Sequence, residues 1–86
     1  MNTTNVLSVR FFIKHSLAKN GRAPIYARIT VEGQKADVSL KRKIDLANWD
    51  YRKSLPKSSR EEGKSINVLL ERVRTEILNE YTDLKY

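Results

Sequence analysis

Three short segments between residues 6 and 41 alternate apolar and polar side chains, a pattern typical of half-buried β-strands. They cover about residues 6–14, 25–31 and 35–41. Their apolar positions are Leu7, Val9, Phe11, Ile13, Ile25, Ala27, Ile29, Val31, Ala36, Val38 and Leu40. Because successive side chains of a strand point to opposite faces, the pattern predicts a sheet with one buried face and one polar face.

The second and third segments are separated by Glu32-Gly33, which predicts a tight turn with glycine at a positive φ. Pairing Val31 with Gln34 across this turn fixes the register of the following pairs. The predicted apolar pairs are Ile29–Ala36, Ala27–Val38 and Ile25–Leu40. On the polar face, the same register places Arg28 opposite Asp37.

Two segments are predicted to be loops. Residues 15–24 contain an Asn-Gly pair and a proline, and residues 51–64 combine proline, glycine, serines and charges without an apolar period. Between them, Asp45 is a candidate cap for a short helical turn, and Trp49 is predicted to be buried in the core.

One amphipathic helix is predicted over about residues 65–84, with Ser65 as its N-cap. Its apolar stripe consists of Ile66, Leu70, Val73, Ile77, Tyr81 and Leu84, widened by Leu69 and Leu78. Its outer surface is expected to show no preference for anions and to carry Glu71, Arg72, Arg74, Glu76, Glu80 and Asp83. The predicted fold is therefore a single α+β domain over residues 1–86, a three-stranded antiparallel sheet packed on one face by a C-terminal helix.

The net charge of the chain reduces the number of functions that fit the sequence. Seventeen Lys and Arg side chains against ten Asp and Glu give a formal net charge of +7, and residues 1–60 hold thirteen of the basic side chains but only four of the acidic ones. This balance favours a polyanionic partner. With no cysteine and one histidine, the sequence predicts no disulfide, no metal site and no cofactor. We expect a soluble, cytoplasmic protein with no membrane segment and no small-molecule substrate.

The candidate binding residues lie mainly on the polar face of the sheet. That face is predicted to carry Arg10, Phe12, Lys14, Tyr26, Arg28, Thr30, Lys35 and Ser39. Additional phosphate contacts are expected from the loop residues Lys19 and Arg22 and from the strand-end cations Lys41, Arg42 and Lys43.

Long cationic side chains on a sheet can reach guanine O6 and N7, which makes Arg10, Lys14 and Arg28 candidates for base contacts. Arg28 has an alternative, a cross-strand ion pair with Asp37. The two aromatic residues of the face could contact thymine methyl groups and sugars, or simply pack on the sheet.

The segment NGRAPIYARITVEG at residues 20–33, followed by Val38-Ser39, Ile44-Asp45 and Trp49-Asp50, resembles the arm-type DNA-binding domain that opens many tyrosine recombinases of integrative mobile elements. The resemblance covers roughly residues 7 to 84. It implies a sheet laid into the major groove of arm sites that flank the recombination core. Where that family tends to have a small or glycine-containing segment after the third strand, this chain has three adjacent cations.

The function predicted from the sequence is double-stranded DNA binding at arm sites, by the N-terminal piece of a longer integrase that also contacts other integrase domains or subunits. The chain offers no arrangement of a nucleophilic tyrosine with positioned arginines and histidines, so we expect a non-catalytic module. Two alternatives remain open: an RNA-binding α+β module, and a protein-interaction domain that docks through its C-terminal helix.

Overall fold

The computed structural model describes residues 7–85, with side chains through residue 80. The strands and the helix, in chain order, are β1 (Leu7–Ile13), β2 (Arg22–Val31), β3 (Gln34–Asp45), β4 (Trp49–Asp50), β5 (Leu55–Pro56) and α1 (Glu61–Lys85). The first three strands form an antiparallel sheet in the order β1-β2-β3, and β4 pairs with β5 in a separate hairpin. The predicted α+β fold, a three-stranded sheet with a C-terminal helix, is confirmed.

The core lies between the sheet, the small hairpin and α1. Its buried apolar side chains are Val9, Phe11, Ile13, Ala23, Ile25, Ala27, Ile44, Trp49, Ile66 and Leu70. Trp49 is 3% exposed, which confirms its predicted place in the core. The predicted stripe residues Tyr81 and Leu84 have side chains outside the described part of the chain.

The turn between β2 and β3 explains most of the sheet register. Glu32 and Gly33 have φ angles of 51° and 83°, so both central residues are left-handed, as a two-residue turn that matches strand twist requires. The predicted pairing of Val31 with Gln34 and of Arg28 with Asp37 is confirmed.

Further along the same strands, the predicted pair Ile25–Leu40 is wrong. The ladder shifts between Pro24 and Tyr26, and Pro24 lies opposite Lys43. The cause is a bulge in β3, where Lys41 has a φ of 59° and donates its backbone N–H to Ser39 Oγ at 3.2 Å. Strand β3 therefore continues to Asp45 instead of ending at residue 41.

The prediction of an exposed loop over residues 51–64 was wrong for residues 55–56 and 61–64, whereas residues 51–54 and 58–60 are exposed turns. Leu55 and Pro56 form β5, Pro56 is buried, and α1 begins at Glu61 rather than near residue 65. Ser65 therefore lies inside the helix and is not its N-cap. The buried Gly63 allows the early start, because its missing side chain lets the first turn of α1 approach the Lys57 backbone.

Other boundaries differ at the start of the sheet. Strand β1 ends at Ile13, and residue 6 of the predicted first strand lies outside the described residues. Within the predicted loop at 15–24, residues His15–Leu17 form a 3-10 turn, and β2 already begins at Arg22.

Helix α1 does not cover the whole apolar face. It packs against β1 and β5, whereas Ala36 on β3 is exposed and Val38 is 46% exposed. The expectation that this helix buries the apolar side of all three strands was therefore wrong for the outer half of β3.

Glu62 fastens the first turn of α1 to the sheet. Its Oε2 accepts a hydrogen bond from Arg22 Nη2 at 2.7 Å, and its Oε1 accepts from the backbone N–H of Asp45 at 3.2 Å and from Asn48 Nδ2 at 2.9 Å. These bonds, above all the one from Arg22, hold the pKa of the Glu62 carboxyl below its usual value. The carboxylate thus joins α1, β2, β3 and the 3-10 turn Leu46–Asn48. Asp45 caps that turn by accepting from the backbone N–H of Ala47, as predicted.

We expect Glu62→Gln to lower the free energy of unfolding by about 1–2 kcal/mol at pH 7, since hydrogen bonds to a charged acceptor are weakened. The folded-state pKa is lowered, so the stabilisation is present above the usual carboxyl pKa and is lost as pH falls through the folded value. The difference between variant and wild type should therefore shrink below about pH 4. Urea unfolding at several pH values measures it, with the exposed Glu76→Gln as control. A difference that stays constant with pH would contradict this role.

Candidate nucleic-acid interface

The face of the sheet that points away from the core has three cross-strand rows. In the order β1, β2, β3 they are Ser8–Thr30–Lys35, Arg10–Arg28–Asp37 and Phe12–Tyr26–Ser39. We call these nine residues the open face. The alternation predicted from the sequence thus brings eight predicted binding residues together, counting Lys14 just after β1.

Cations and aromatic rings form a continuous chain across this face. The rings of Phe12 and Tyr26 stack with their centroids 5.8 Å apart. The Arg28 guanidinium carbon lies 4.9 Å from the Phe12 centroid, and Lys14 Nζ lies 4.6 Å from the Tyr26 centroid. Because a cation over a ring is attracted to it, the aromatic pair holds both cations close to the sheet.

Arg28 is also held by an acid. Its Nε and Nη2 donate to Asp37 Oδ1 and Oδ2 at 2.8 and 3.0 Å, so the cross-strand ion pair predicted for this residue is confirmed. The hydrogen bonds from Arg28 hold the pKa of the Asp37 carboxyl below its usual value, and they raise that of Arg28. The guanidinium is therefore oriented before any ligand arrives.

Arg10 differs from its neighbour. It is exposed and lies directly opposite Arg28 in the β1–β2 ladder. Among the described residues, the ion pairs are Arg22–Glu62 and Arg28–Asp37, so Arg10 has no acidic partner there. The row therefore holds two guanidinium groups and one carboxylate, and an anion would neutralise the positive charge that remains.

The predicted binding cations outside the open face differ in their exposure and in their ion pairing. Lys19 is exposed and forms an isolated bridge with Arg22 across the Asn20-Gly21 turn. Arg22 was predicted at a loop tip, but it starts β2 and its guanidinium is paired with Glu62 at 2.7 Å. Its positive charge is thus already compensated inside the protein.

The three adjacent cations Lys41, Arg42 and Lys43 lie within β3, at and after the bulge, rather than at a strand end. With Arg22 they line a groove of about 450 Å³ whose other wall is Glu62, Ser65 and Ile66 of α1. The structure therefore places them beside the start of the helix, on a flank separate from the three rows.

Sequence reasoning missed a second group of cations at the free edge of β1. A groove of about 310 Å³ there is lined by Val9, Arg10, Phe11, Arg52, Lys53, Ser54, Leu55 and Arg74. The placement of Arg74 on an outer surface without anion preference was wrong, because this residue is half-buried and its guanidinium carbon lies 5.3 Å from the Phe11 centroid. Its position four residues after the buried Leu70 is the signal that could have placed it on the inner side.

The described residues contain no group of three or more His, Cys, Asp and Glu side chains that could hold a metal ion. In the same part of the chain, no helix is sufficiently long and apolar to cross a membrane.

Comparison with known families identifies the class of protein. The chain matches the model of the Arm DNA-binding domain family over residues 11–86. Because the match spans most of the sequence, the chain belongs to this family, the N-terminal arm-type domain of phage integrases. It is accordingly a non-catalytic DNA-binding domain of the integrase type, which confirms the resemblance seen in the sequence. Searches of curated proteins and of solved structures found no significant match.

Proposed function

We propose that this domain binds arm-type sites in double-stranded DNA by inserting its open face into the major groove, and that it thereby helps to assemble a site-specific recombination complex. The observation that carries the proposal is the middle row, in which Arg10, which forms no ion pair with the described residues, stands beside the oriented Arg28. The family of the chain supports DNA as the ligand.

The dimensions of the sheet agree with this mode of binding. Strands lie about 4.8 Å apart, so the backbones of three strands span about 10 Å. The major groove of B-DNA is about 12 Å wide and admits β-structure. The helix lies on the other side of the sheet, where it would not obstruct the duplex.

The open face and the cations around it would then make different kinds of contact. Arg10 and Lys14 read base edges, and Arg28 does so with a guanidinium held in place by Asp37. The stacked aromatic pair supports these cations and offers apolar contact to thymine methyl groups. Phosphate contacts come from Lys19, Thr30, Lys35, Ser39, Lys41, Arg42 and Lys43, and Arg22 contributes mainly through the fold.

Salt dependence tests the proposal as a whole. With about five phosphates neutralised, the logarithm of the association constant should fall with the logarithm of salt concentration at a slope near −4 to −5. Fluorescence anisotropy with a labelled duplex from the ends of the parent element measures this slope. Affinity that does not change with salt would contradict duplex binding through these cations.

An RNA-binding module would use the same charge but a different groove. The major groove of A-form RNA is too deep and narrow for side chains to read. A sheet that reads bases in the major groove of DNA therefore could not make the same contacts with duplex RNA. We therefore expect duplex DNA to compete for the domain better than duplex RNA of the same sequence. Stronger competition by RNA would favour that alternative.

Docking of α1 on a neighbouring integrase domain or subunit is a second candidate function. It is favoured by two exposed apolar side chains of the helix, since Val68 is 62% and Leu78 is 42% exposed. The other leucine that widens the predicted stripe, Leu69, is half-buried. This function would use a surface opposite the open face, so one domain could perform both.

A further inference from the structure

The groove at the free edge of β1 is positively charged, as a site for an anion would be. Its cations are Arg10, Arg52, Lys53 and Arg74, which come from β1, the β4–β5 turn and α1. None of the described residues that line it is acidic. Like charges gathered from three elements repel each other, and a bound anion would remove that cost.

The backbone of the β4–β5 turn, which carries two of these cations, is held by local bonds. Asp50 Oδ1 accepts from the backbone N–H groups of Arg52 at 2.9 Å and Lys53 at 3.2 Å, which fixes the turn. On the other side, the ring of Tyr51 stacks on His15 with the centroids 5.6 Å apart. The turn is thereby tied to the 3-10 segment after β1, so the backbone from which Arg52 and Lys53 extend is fixed beside the groove.

Arg74 is fixed in a different way. Its guanidinium lies over the buried Phe11, at 5.3 Å from the ring centroid, and the side chain is half-buried. A guanidinium that stacks on an aromatic ring keeps its N–H groups at its edge, where they can bind phosphate oxygens. The groove thus combines one guanidinium placed against an aromatic ring with the exposed cations of the turn.

We propose that this groove binds phosphate groups of the DNA backbone and continues the duplex contact from the open face around the edge of β1. The inference rests on the proposed function. Arg10 connects the two surfaces, because it belongs to the open face and also lines the groove. A water molecule takes about 30 Å³ in the liquid, so a space of about 310 Å³ holds a phosphate group with its nearest waters.

The test removes the groove cations and spares Arg10. In the variant Arg52→Gln, Lys53→Gln, Arg74→Gln, we expect arm-site and random duplexes to lose affinity by the same factor, about tenfold or more near 0.1 M salt. The salt slope should become shallower by about 2–3. The matched control is Arg60→Gln, Lys64→Gln, Arg72→Gln, which also removes three positive charges, from exposed positions outside the groove. This control should keep a slope close to that of the wild type.

A second variant covers the possibility that loss of Arg74 disturbs the packing on Phe11. Arg52→Gln, Lys53→Gln leaves that contact intact and should still make the slope shallower by about 2. Equal effects of the groove and control variants would overturn the inference, because the cations would then act only through net charge. An unchanged slope in both groove variants, while Arg10→Ala weakens arm-site binding, would also overturn it and leave the proposed function standing. A flat salt response of the wild type would instead reject the proposed function.

Discussion

Replacing Gly63 with alanine is expected to destabilise the domain by about 3 kcal/mol, through overpacking of the first turn of α1. An added Cβ would collide with the carbonyl oxygen of Lys57 and would lie only 2.8 Å from its carbonyl carbon. These are backbone atoms, and the N–H of Lys57 is itself bonded to Asn48 O at 2.8 Å, so the segment cannot easily move aside. The helix would have to shift, together with the core residues Ile66 and Leu70 that it carries.

Thermal unfolding followed by circular dichroism measures this effect. For a domain of this size we expect the Tm to fall by roughly 10–20 °C. Lys64→Ala is the matched control: it introduces the same residue one position later, at an exposed site, and should change stability by less than about 0.5 kcal/mol. If Gly63→Ala were as stable as the wild type, the close approach of α1 to Lys57 would be wrong.

Arg10→Ala is expected to weaken binding to an arm-site duplex by about 5- to 150-fold, the range that corresponds to losing one good bidentate base contact of about 1–3 kcal/mol. The loss on random duplex should be smaller, because only the charge contribution is lost there. Arg28→Ala should also weaken specific sites more than random duplex. It additionally leaves Asp37 on the open face without its ion pair, so its effect includes added repulsion of the phosphates.

Anisotropy titrations with the two duplexes measure the difference between specific and random binding. The exposed Arg72, on the helix and outside the open face, provides the control Arg72→Ala, which removes one charge of the same kind. If Arg10→Ala reduced affinity for both duplexes by the same factor as this control, Arg10 would contribute only charge. Unfolding curves of both variants should match the wild type, since both side chains are exposed.

The parts of the fold that sequence determines locally could be predicted. Alternation in β1 and β2, the turn at Glu32-Gly33 and the Arg28–Asp37 pair all follow from the period of side chains along a strand and the geometry of a two-residue turn. The burial of Trp49 and the cap at Asp45 follow from residue type and position. Alternation also predicted which residues share the open face, but the register of β1 against β2, which places Arg10 opposite Arg28, came from the structure.

The parts that depend on contacts between distant segments could not be predicted. From residue type alone, Gly63 is predicted to lie in a loop. Only the close approach of the Lys57 backbone shows why the helix has glycine at this position. The bulge at Lys41 changes the register without a strong local signal, because lysine seldom adopts a positive φ. Arg22 could not be recognised as the partner of Glu62, which lies 40 residues further along the chain.

The candidate site likewise has a part that was predicted from the sequence and a part that was not. Its open face follows from strand alternation, but the groove at the β1 edge joins Arg10 to the turn residues Arg52 and Lys53 and to the helical Arg74. No spacing within one element relates these four positions. Their association depends on how the small hairpin and α1 pack beside the first strand.

The central claim is that the open face enters the groove of a duplex, and a chemical-shift titration of the ¹⁵N-labelled domain with an arm-site duplex tests it most directly. We expect the largest changes in the amides of β1, β2 and β3 around the three rows, centred on Arg10, Tyr26 and Arg28, with small changes at exposed α1 positions such as Arg72. Changes confined to α1, with the strand amides unaffected by the duplex, would contradict the claim.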